Sequence, residues 1–360
     1  MALVMSGTRS ILRIGGNEFE AHVPLIRQSC LKDFSSCQRL FLLKHILGLT
    51  PKTVIRSPAA DTGTFWHEAM SAMYSTRDMS EVRRICFNHR DNILSRLYDL
   101  EAEDLTGTIS EQIANVKMAC AKGLAMAEIF FSHHPLTEDF EIVANEQPLL
   151  VPIEPGHGLA RVKPDLILLA RGKHWIVDHK SSSDKPEDVM VGKPWSYQTR
   201  LYSWAVRKHY GVPLGGFIFN KMQVPGIKLC GTDKKGAEKE GITPEEFYLR
   251  RVAEWYEKQP HMTIESQWFP CPGAEELDAS LKALAYRVAH LFPVEKQQDL
   301  DVFFPKDGSC YTCRKFNRTC PYMAICDTQP EAWGPVISGF YTQNFEIPEE
   351  EKEEETHADS

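Results

Sequence analysis

The sequence contains no apolar run long enough to cross a membrane, no internal repeat, no Gly-x4-Gly-Lys-Ser/Thr loop, no helix-turn-helix or zinc-finger pattern, and no excess of positive charge. The first absence excludes a membrane-spanning helix. The N-terminus, with Arg9 and Arg13 among short apolar stretches, also lacks the charged start, apolar middle and small-residue cleavage site of a secretory signal. A cytosolic chain is expected. Without the phosphate-cradling loop there is no nucleotide-driven motor of that type, and without a base-reading motif any nucleic-acid contact is expected to be independent of base sequence. The net charge of −8 arises almost wholly from residues 346–360, where eight acids face Lys352 alone and leave the remainder at −1. A near-neutral body neither supports nor excludes a nucleic-acid partner, because a local basic groove suffices for binding.

What is present reads as globular: 360 residues with 42% hydrophobic content. There are ten cysteines, and in a reducing compartment their clustering suggests metal binding before cross-linking. Apolar residues at helical spacing predict a short helix leading into a second one over Ser29 to Leu49, then helices over Thr64 to Thr76, Met79 to Leu100 and Ile109 to Ser132. From Phe140 the pattern changes to three runs rich in β-branched and aliphatic residues, read as three antiparallel strands. An amphipathic helix over Ser196 to His209, a strand over Gly215 to Val224, a Lys- and Gly-rich loop over Gly226 to Gly241, and helices over Thr243 to Lys258 and Gly273 to Phe292 follow.

The hairpin from Leu159 to Ser181 carries the strongest chemical signal outside the cysteines. Side chains alternate along a strand, so Asp178 and Lys180 share one face while Ile176 and Val177 serve the sheet. A tight turn at Gly172 or Lys173 sets Asp165 opposite His179 or Lys180. Two acids and a lysine then converge, as phosphodiester hydrolysis needs: carboxylates to hold Mg²⁺ or Mn²⁺, and a cation to steady the attacking water or the developing charge. An exposed hairpin with a surface Asp and Lys would show the same Asp-x-Lys spacing.

ARVKPD (160–165) followed by IVDHKSSS (176–183) resembles the paired core motifs of PD-(D/E)XK nucleases of the RecB and AddB type. QTRLY, Gln198 to Tyr202, is similar to that group's Gln-x-x-x-Tyr motif, and GTFWH, Gly63 to His67, to its upstream histidine helix. The resemblance implies His67, Asp165, Asp178 and the main-chain carbonyl of His179 as metal ligands for Mg²⁺ or Mn²⁺. It implies Lys180 beside the nucleophilic water and Gln198 and Tyr202 as orienting residues; Glu146, on the strand before Asp165, is a candidate only for a supporting place.

The cysteines carry a second part of the resemblance. Cys37 lies in SSCQRLFLL, far upstream of the run Cys313, Cys320 and Cys326. Family members with a cluster draw one cysteine from the opening helix and three from the C-terminal coil, so the resemblance implies a 4Fe-4S cluster on Cys37, Cys313, Cys320 and Cys326, with Cys310 as the alternate to Cys313. Structural zinc is the competing reading, although only one Cys-x2-Cys knuckle is present. Cys30, Cys86, Cys120, Cys230 and Cys271 read as core or surface thiols.

The fold implied is α/β: a restriction-endonuclease-like core with a mixed central sheet flanked by helices at 140–225, after an N-terminal extension at 1–23 and a helical region at 24–139. A helical and cysteine-rich Fe–S region at 226–330 and an acidic disordered tail at 331–360 complete it. The function implied is a divalent-metal-dependent DNA exonuclease of recombination, repair or processing. Its substrates are single-stranded or duplex DNA ends, its partners recombination or repair proteins, and its setting the cytoplasm of a bacterial or phage-infected cell. Without motor motifs the chain is similar to phage recombination exonucleases and CRISPR spacer-acquisition nucleases. A catalytically silent DNA-binding scaffold and a zinc-stabilised interaction module are the alternatives. Lys228, Lys234, Lys235 and Lys239 are candidate phosphate contacts, and Trp66, Trp195 and Tyr197 candidate base-stacking groups.

Overall fold

The structure is a computed structural model. It describes residues 9–22, 24–52, 58–101, 107–137, 139–153, 158–183, 196–228, 230–258, 264–271, 278–279, 281–283, 304–308, 313–314 and 319–345. The chain opens with a hairpin, β1 (Arg9–Ile14) and β2 (Asn17–His22), turned at Gly15 and Gly16, both at positive φ. Helix α1 (Gln28–Ser36) runs through Cys37 into α2 (Gln38–Phe41), which continues as a π-helical turn over Leu42–Ile46 before β3 (Leu49–Pro51). Three long helices follow: α3 (Pro58–Thr76), α4 (Met79–Glu101) and α5 (Thr108–His133). Gly123 lets α5 lie directly on α3, since a Cβ there would stand 2.7 Å from the Phe65 Cβ and the Trp66 nitrogen.

The strand region holds five strands where the sequence suggests three: β4 (Glu141–Asn145), β5 (Leu149–Pro152), β6 (Leu159–Val162), β7 (Leu166–Ala170) and β8 (Lys173–Ser182). Two breaks cause this. Glu146 takes a left-handed backbone with φ +52, which ends β4, and Pro164, which has no N–H to give a ladder, separates β6 from β7. β5 and β6 then form a separate two-stranded sheet. After α6 (Tyr197–Tyr210), β9 (Leu214–Gln223) returns parallel to β8, and β10 (Ile264–Phe269) closes a five-stranded mixed sheet in the order β10-β9-β8-β7-β4.

The β7–β8 register corrects the sequence expectation by one or two places. Leu166 faces Val177 and Ala170 faces Lys173, so the turn is the two residues Arg171 and Gly172, both at positive φ. That is the tight geometry a right-twisted hairpin favours. Continued past β7, this register sets Asp165 against Asp178, in place of His179 or Lys180.

Alternation along the strands splits the core in two. Ile167, Ile176, Phe217 and Phe219 face α1, α2, α6 and the β1–β2 hairpin; Leu166, Leu168, Val177 and Met222 face α3, α5 and the helix over 244–257. Each large apolar side chain removed from water stabilises by about 1.5–3 kcal/mol, so both faces of the sheet are fixed against slippage.

Three regions depart from expectation. The Lys- and Gly-rich segment contains helix α7 (Gly231–Glu240), because the Asp233 carboxylate caps the Cys230 N–H at 2.8 Å and pairs with Arg251 on α8 (Pro244–Glu257). Gly236 lets the Phe247 ring lie against it. The N-terminal hairpin sends Leu12, Ile14, Phe19 and Ala21 into the core. Residues 333–343, placed with the tail by sequence, form α10 (Trp333–Phe340) and β11 (Tyr341–Gln343), which follow the short α9 (Met323–Cys326). β11 pairs with β3, Tyr322 donates to the Leu49 carbonyl at 2.7 Å, and Asn17 donates to the Pro330 carbonyl at 3.1 Å. The N-terminal hairpin and β3 are thus joined to the described C-terminal elements. Most of the helix expected over Gly273 to Phe292 lies outside the described residues.

Candidate metal centre

Three elements distant in sequence meet at the end of the central sheet. On α3, Gly63, His67 and Ser71 recur at four-residue spacing and share one face, with Ala60, Thr64 and Glu68 beside them. Asn145 ties that helix to β4, donating to the Ser71 carbonyl and the Ser75 hydroxyl at 2.8 Å each. Glu146 and Asp165 complete the wall of a cavity of about 530 Å³. The Glu146 N–H donates to the Asp165 carbonyl at 3.0 Å, which brings their side chains together.

Ligand atoms of His67, Glu146 and Asp165 all lie within 4.8 Å of one another. His67 Nδ1 is 3.4 Å from Asp165 Oδ2 and 3.7 Å from Glu146 Oε1. Lys163 Nζ holds the other Glu146 oxygen at 2.6 Å. Glu146 therefore stands among the candidate ligands, where sequence reading assigns it only a supporting place. No local sequence pattern announces it; what brings it in is a strained backbone, of a kind that persists where surrounding structure fixes it.

Asp178 and Lys180 share a face of β8, as alternation requires. Asp178 is fully buried and is turned to two donors: Lys180 Nζ and Gln198 Nε2 reach its Oδ1 at 2.8 and 2.7 Å. Its Oδ2 is buried without a well-directed hydrogen bond, with the Lys180 ammonium 2.8 Å away. Tyr202, one turn after Gln198, donates to the Lys163 carbonyl at 3.1 Å and so fixes the stretch that delivers Asp165. The His179 N–H donates to Asp165 Oδ2 at 2.6 Å. The imidazole of His179 points to the other face, boxed by Trp66, Tyr74 and Phe130, with Asn220 Nδ2 3.3 Å from its Nδ1. As a ligand, only the main-chain carbonyl of His179 is open to consideration. Trp66 is wholly buried and unable to stack on a base, Tyr197 is bonded to Ser35 at 2.7 Å, and Trp195 lies outside the described residues.

The electrostatics favour a cation. Burial, then the nearby Asp178 charge, push the Asp165 carboxyl up to about 7. Burial pulls His67 down, but Glu146 and Asp165 outweigh it and hold the imidazole above its ordinary value. Burial likewise pulls Lys180 down, and Asp178 and Asp165 outweigh it and raise the ammonium. Burial lowers the His179 imidazole well below its usual range, so it is neutral. Carboxylate oxygens with one imidazole are a donor set suited to Mg²⁺ or Mn²⁺, and a positive ion would relieve the repulsion that raises Asp165.

The cysteines of the opening helix and the C-terminal coil also approach one another. Cys37 sits between α1 and α2, where its sulfur accepts from the Leu40 N–H at 3.4 Å. The Cys320 N–H donates to the Cys313 carbonyl at 2.8 Å, and Cys326 ends α9. Burial raises the Cys320 thiol, with Cys313 and Cys37 adding to the rise; burial raises Cys326 as well, with Cys37 contributing. Cys310 lies outside the described residues. Among the described residues, the group closing within 4.8 Å is the His67 trio and not these sulfurs.

The family model described as the PD-(D/E)XK nuclease superfamily matches residues 28–327. No curated protein matches the chain.

Proposed function

The chain belongs to the PD-(D/E)XK nuclease superfamily, and from that premise we propose that it is a divalent-metal-dependent DNA exonuclease of RecB/AddB type. The observation that carries the reading is the meeting of His67, Glu146 and Asp165 beside the Asp178–Lys180 pair, from three elements separated in sequence. In this reading His67, Glu146 and Asp165, with Asp178 and the His179 carbonyl, hold Mg²⁺ or Mn²⁺. When bound, the ion polarises the scissile phosphate and lowers the pKa of water.

The chain's own groups do the rest. Lys180, held charged by its acidic neighbours, steadies the attacking water and the charge that develops on the phosphate. Gln198 fixes the Asp178 carboxylate, so that Lys180 is aimed by a rigid partner. The His179 N–H holds the Asp165 carboxylate, and Tyr202 holds the backbone two residues before it through the Lys163 carbonyl. The 530 Å³ cavity in front of His67 admits the phosphate backbone. Recombination, repair or processing of DNA ends is the setting this chemistry suits, with proteins of those processes as partners.

We read Cys37, Cys313, Cys320 and Cys326 as ligands of a 4Fe-4S cluster, with structural zinc as the alternative; what supports a shared site is the Cys320 N–H bonded to the Cys313 carbonyl and the electrostatic coupling of Cys320 and Cys326 to Cys37.

The test is degradation of end-labelled linear and covalently closed circular DNA with Mg²⁺, with Mn²⁺ and with chelator, for wild type and Asp178→Ala. The proposal expects metal-dependent loss of linear DNA, resistance of circles, and no activity in the variant. Cleavage that survives chelation, or equal activity in Asp178→Ala, overturns it.

A further inference from the structure

A second reactive constellation lies in a different cavity from the strand-end site, among residues the nuclease reading does not use. Cys30, on α1, is buried, and its sulfur is 3.4 Å from His45 Nδ1. The other ring nitrogen of His45, Nε2, is 2.8 Å from Asp33 Oδ2. His45 belongs to the π-helical turn, where the Leu47 N–H bonds back to the Leu42 carbonyl at 2.9 Å. Such turns break the helical spacing and recur at functional sites. The thiol, the imidazole and the carboxylate form a hydrogen-bonded line.

The order of the line sets its chemistry. A carboxylate can only accept, so Asp33 fixes the neutral imidazole as the Nε2–H tautomer and leaves the Nδ1 lone pair facing the sulfur. Nδ1 is then the base for the Cys30 proton, and Asp33 stabilises the imidazolium that results. Burial pulls His45 down, but its bonds to Asp33 and Cys30 outweigh it and hold the imidazole above its ordinary value.

Cys30 and His45 also line a cavity of about 380 Å³, with His22, Arg27, Lys44 and Tyr322. Its volume admits a small molecule, and Arg27 and Lys44 bring positive charge to its wall. Cys86 and Cys120 make the contrast. They are buried where α4 meets α5, and burial pushes both thiols up, Cys120 to about 12.

We propose that Cys30 is an activated nucleophilic thiol, a modification site for small peroxides. In the step, His45 Nδ1 takes the thiol proton and the sulfur attacks one peroxide oxygen. The S–O bond forms as the O–O bond breaks. Two electrons pass from sulfur to the departing oxygen, which takes the proton back from His45 and leaves as water, and Cys30 becomes a sulfenic acid. The inference stands apart from the nuclease reading and does not depend on it.

The experiment treats the native full-length chain with hydrogen peroxide in the presence of dimedone and follows each cysteine by peptide mass spectrometry. Cys30 is expected to label about tenfold faster than Cys86 or Cys120, and faster in the native protein than in the urea-unfolded chain. His45→Gln is expected to remove the advantage. Labelling of Cys30 that is slower in the native protein than in the unfolded chain overturns the proposal, as does an unchanged rate in His45→Gln. If that variant does not fold, the native-to-unfolded comparison in wild type decides.

Discussion

The backbone N–H of His179 holds Asp165 Oδ2 at 2.6 Å, so the strand that carries Asp178 and Lys180 also aims the carboxylate of the neighbouring turn. Asp165 is thereby fixed by main chain, its carboxylate directed at His67 without depending on a flexible side chain. The two halves of the site are one mechanical unit. A change in the seating of β8 moves both.

Glu146→Gln keeps size and hydrogen bonding but removes the charge facing His67. It is expected to lower Mn²⁺ affinity by about 10–100-fold while leaving the fold intact. Calorimetric titration checks this, and unaltered affinity would return Glu146 to a supporting role.

Gln198→Ala removes one of the two donors to Asp178 Oδ1. A buried acceptor left short costs about 1–3 kcal/mol, and the freed carboxylate can turn from its aim at Lys180. The expected signature is a kcat reduced by about 10–100-fold with the KM for linear DNA nearly unchanged. A change confined to KM would mean that Gln198 contacts substrate instead.

The pH dependence has a definite sign. The folded-state value of Asp165 is raised to about 7, so its contribution to stability is present at low pH and lost as pH rises through about 7. The raised His67 acts in the same direction, because its charged form is the one Glu146 and Asp165 favour. Without divalent metal, melting temperature is expected to fall from pH 5 to pH 8. Added Mg²⁺ or Mn²⁺, which binds the ionised acids and the neutral imidazole, should restore more at pH 8 than at pH 6. Differential scanning calorimetry across that range reads both effects.

Gly123→Ala tests the support behind His67. Its Cβ would enter the backbone of Phe65 and Trp66, so the helices must part. A loss of about 1–3 kcal/mol in urea unfolding is expected, together with weaker metal binding.

The parts of this architecture set by side-chain periodicity can be read without coordinates. The spacing of apolar residues marks α3, α4 and α5, and strand alternation puts Asp178 and Lys180 on one face. Backbone conformations set by tertiary contacts are not so visible. Arg171 takes a left-handed conformation that its residue type does not advertise, and the hairpin register departs from the expected one as a result. Glu146 reaches the site through the same kind of strained backbone. Helix α7, poor in apolar residues, depends on Arg251 and Phe247 from the next helix. The N-terminal hairpin did carry a signal, Gly15-Gly16 between two apolar-rich runs, which placement as an extension overlooked.

The central claim is that His67, Glu146 and Asp165 hold one divalent cation. Isothermal titration of Mn²⁺ into wild type and Asp165→Asn tests it most directly. The account predicts one saturable site per chain at this centre, lost in the variant. Equal binding by both proteins, or no binding to wild type, would contradict it.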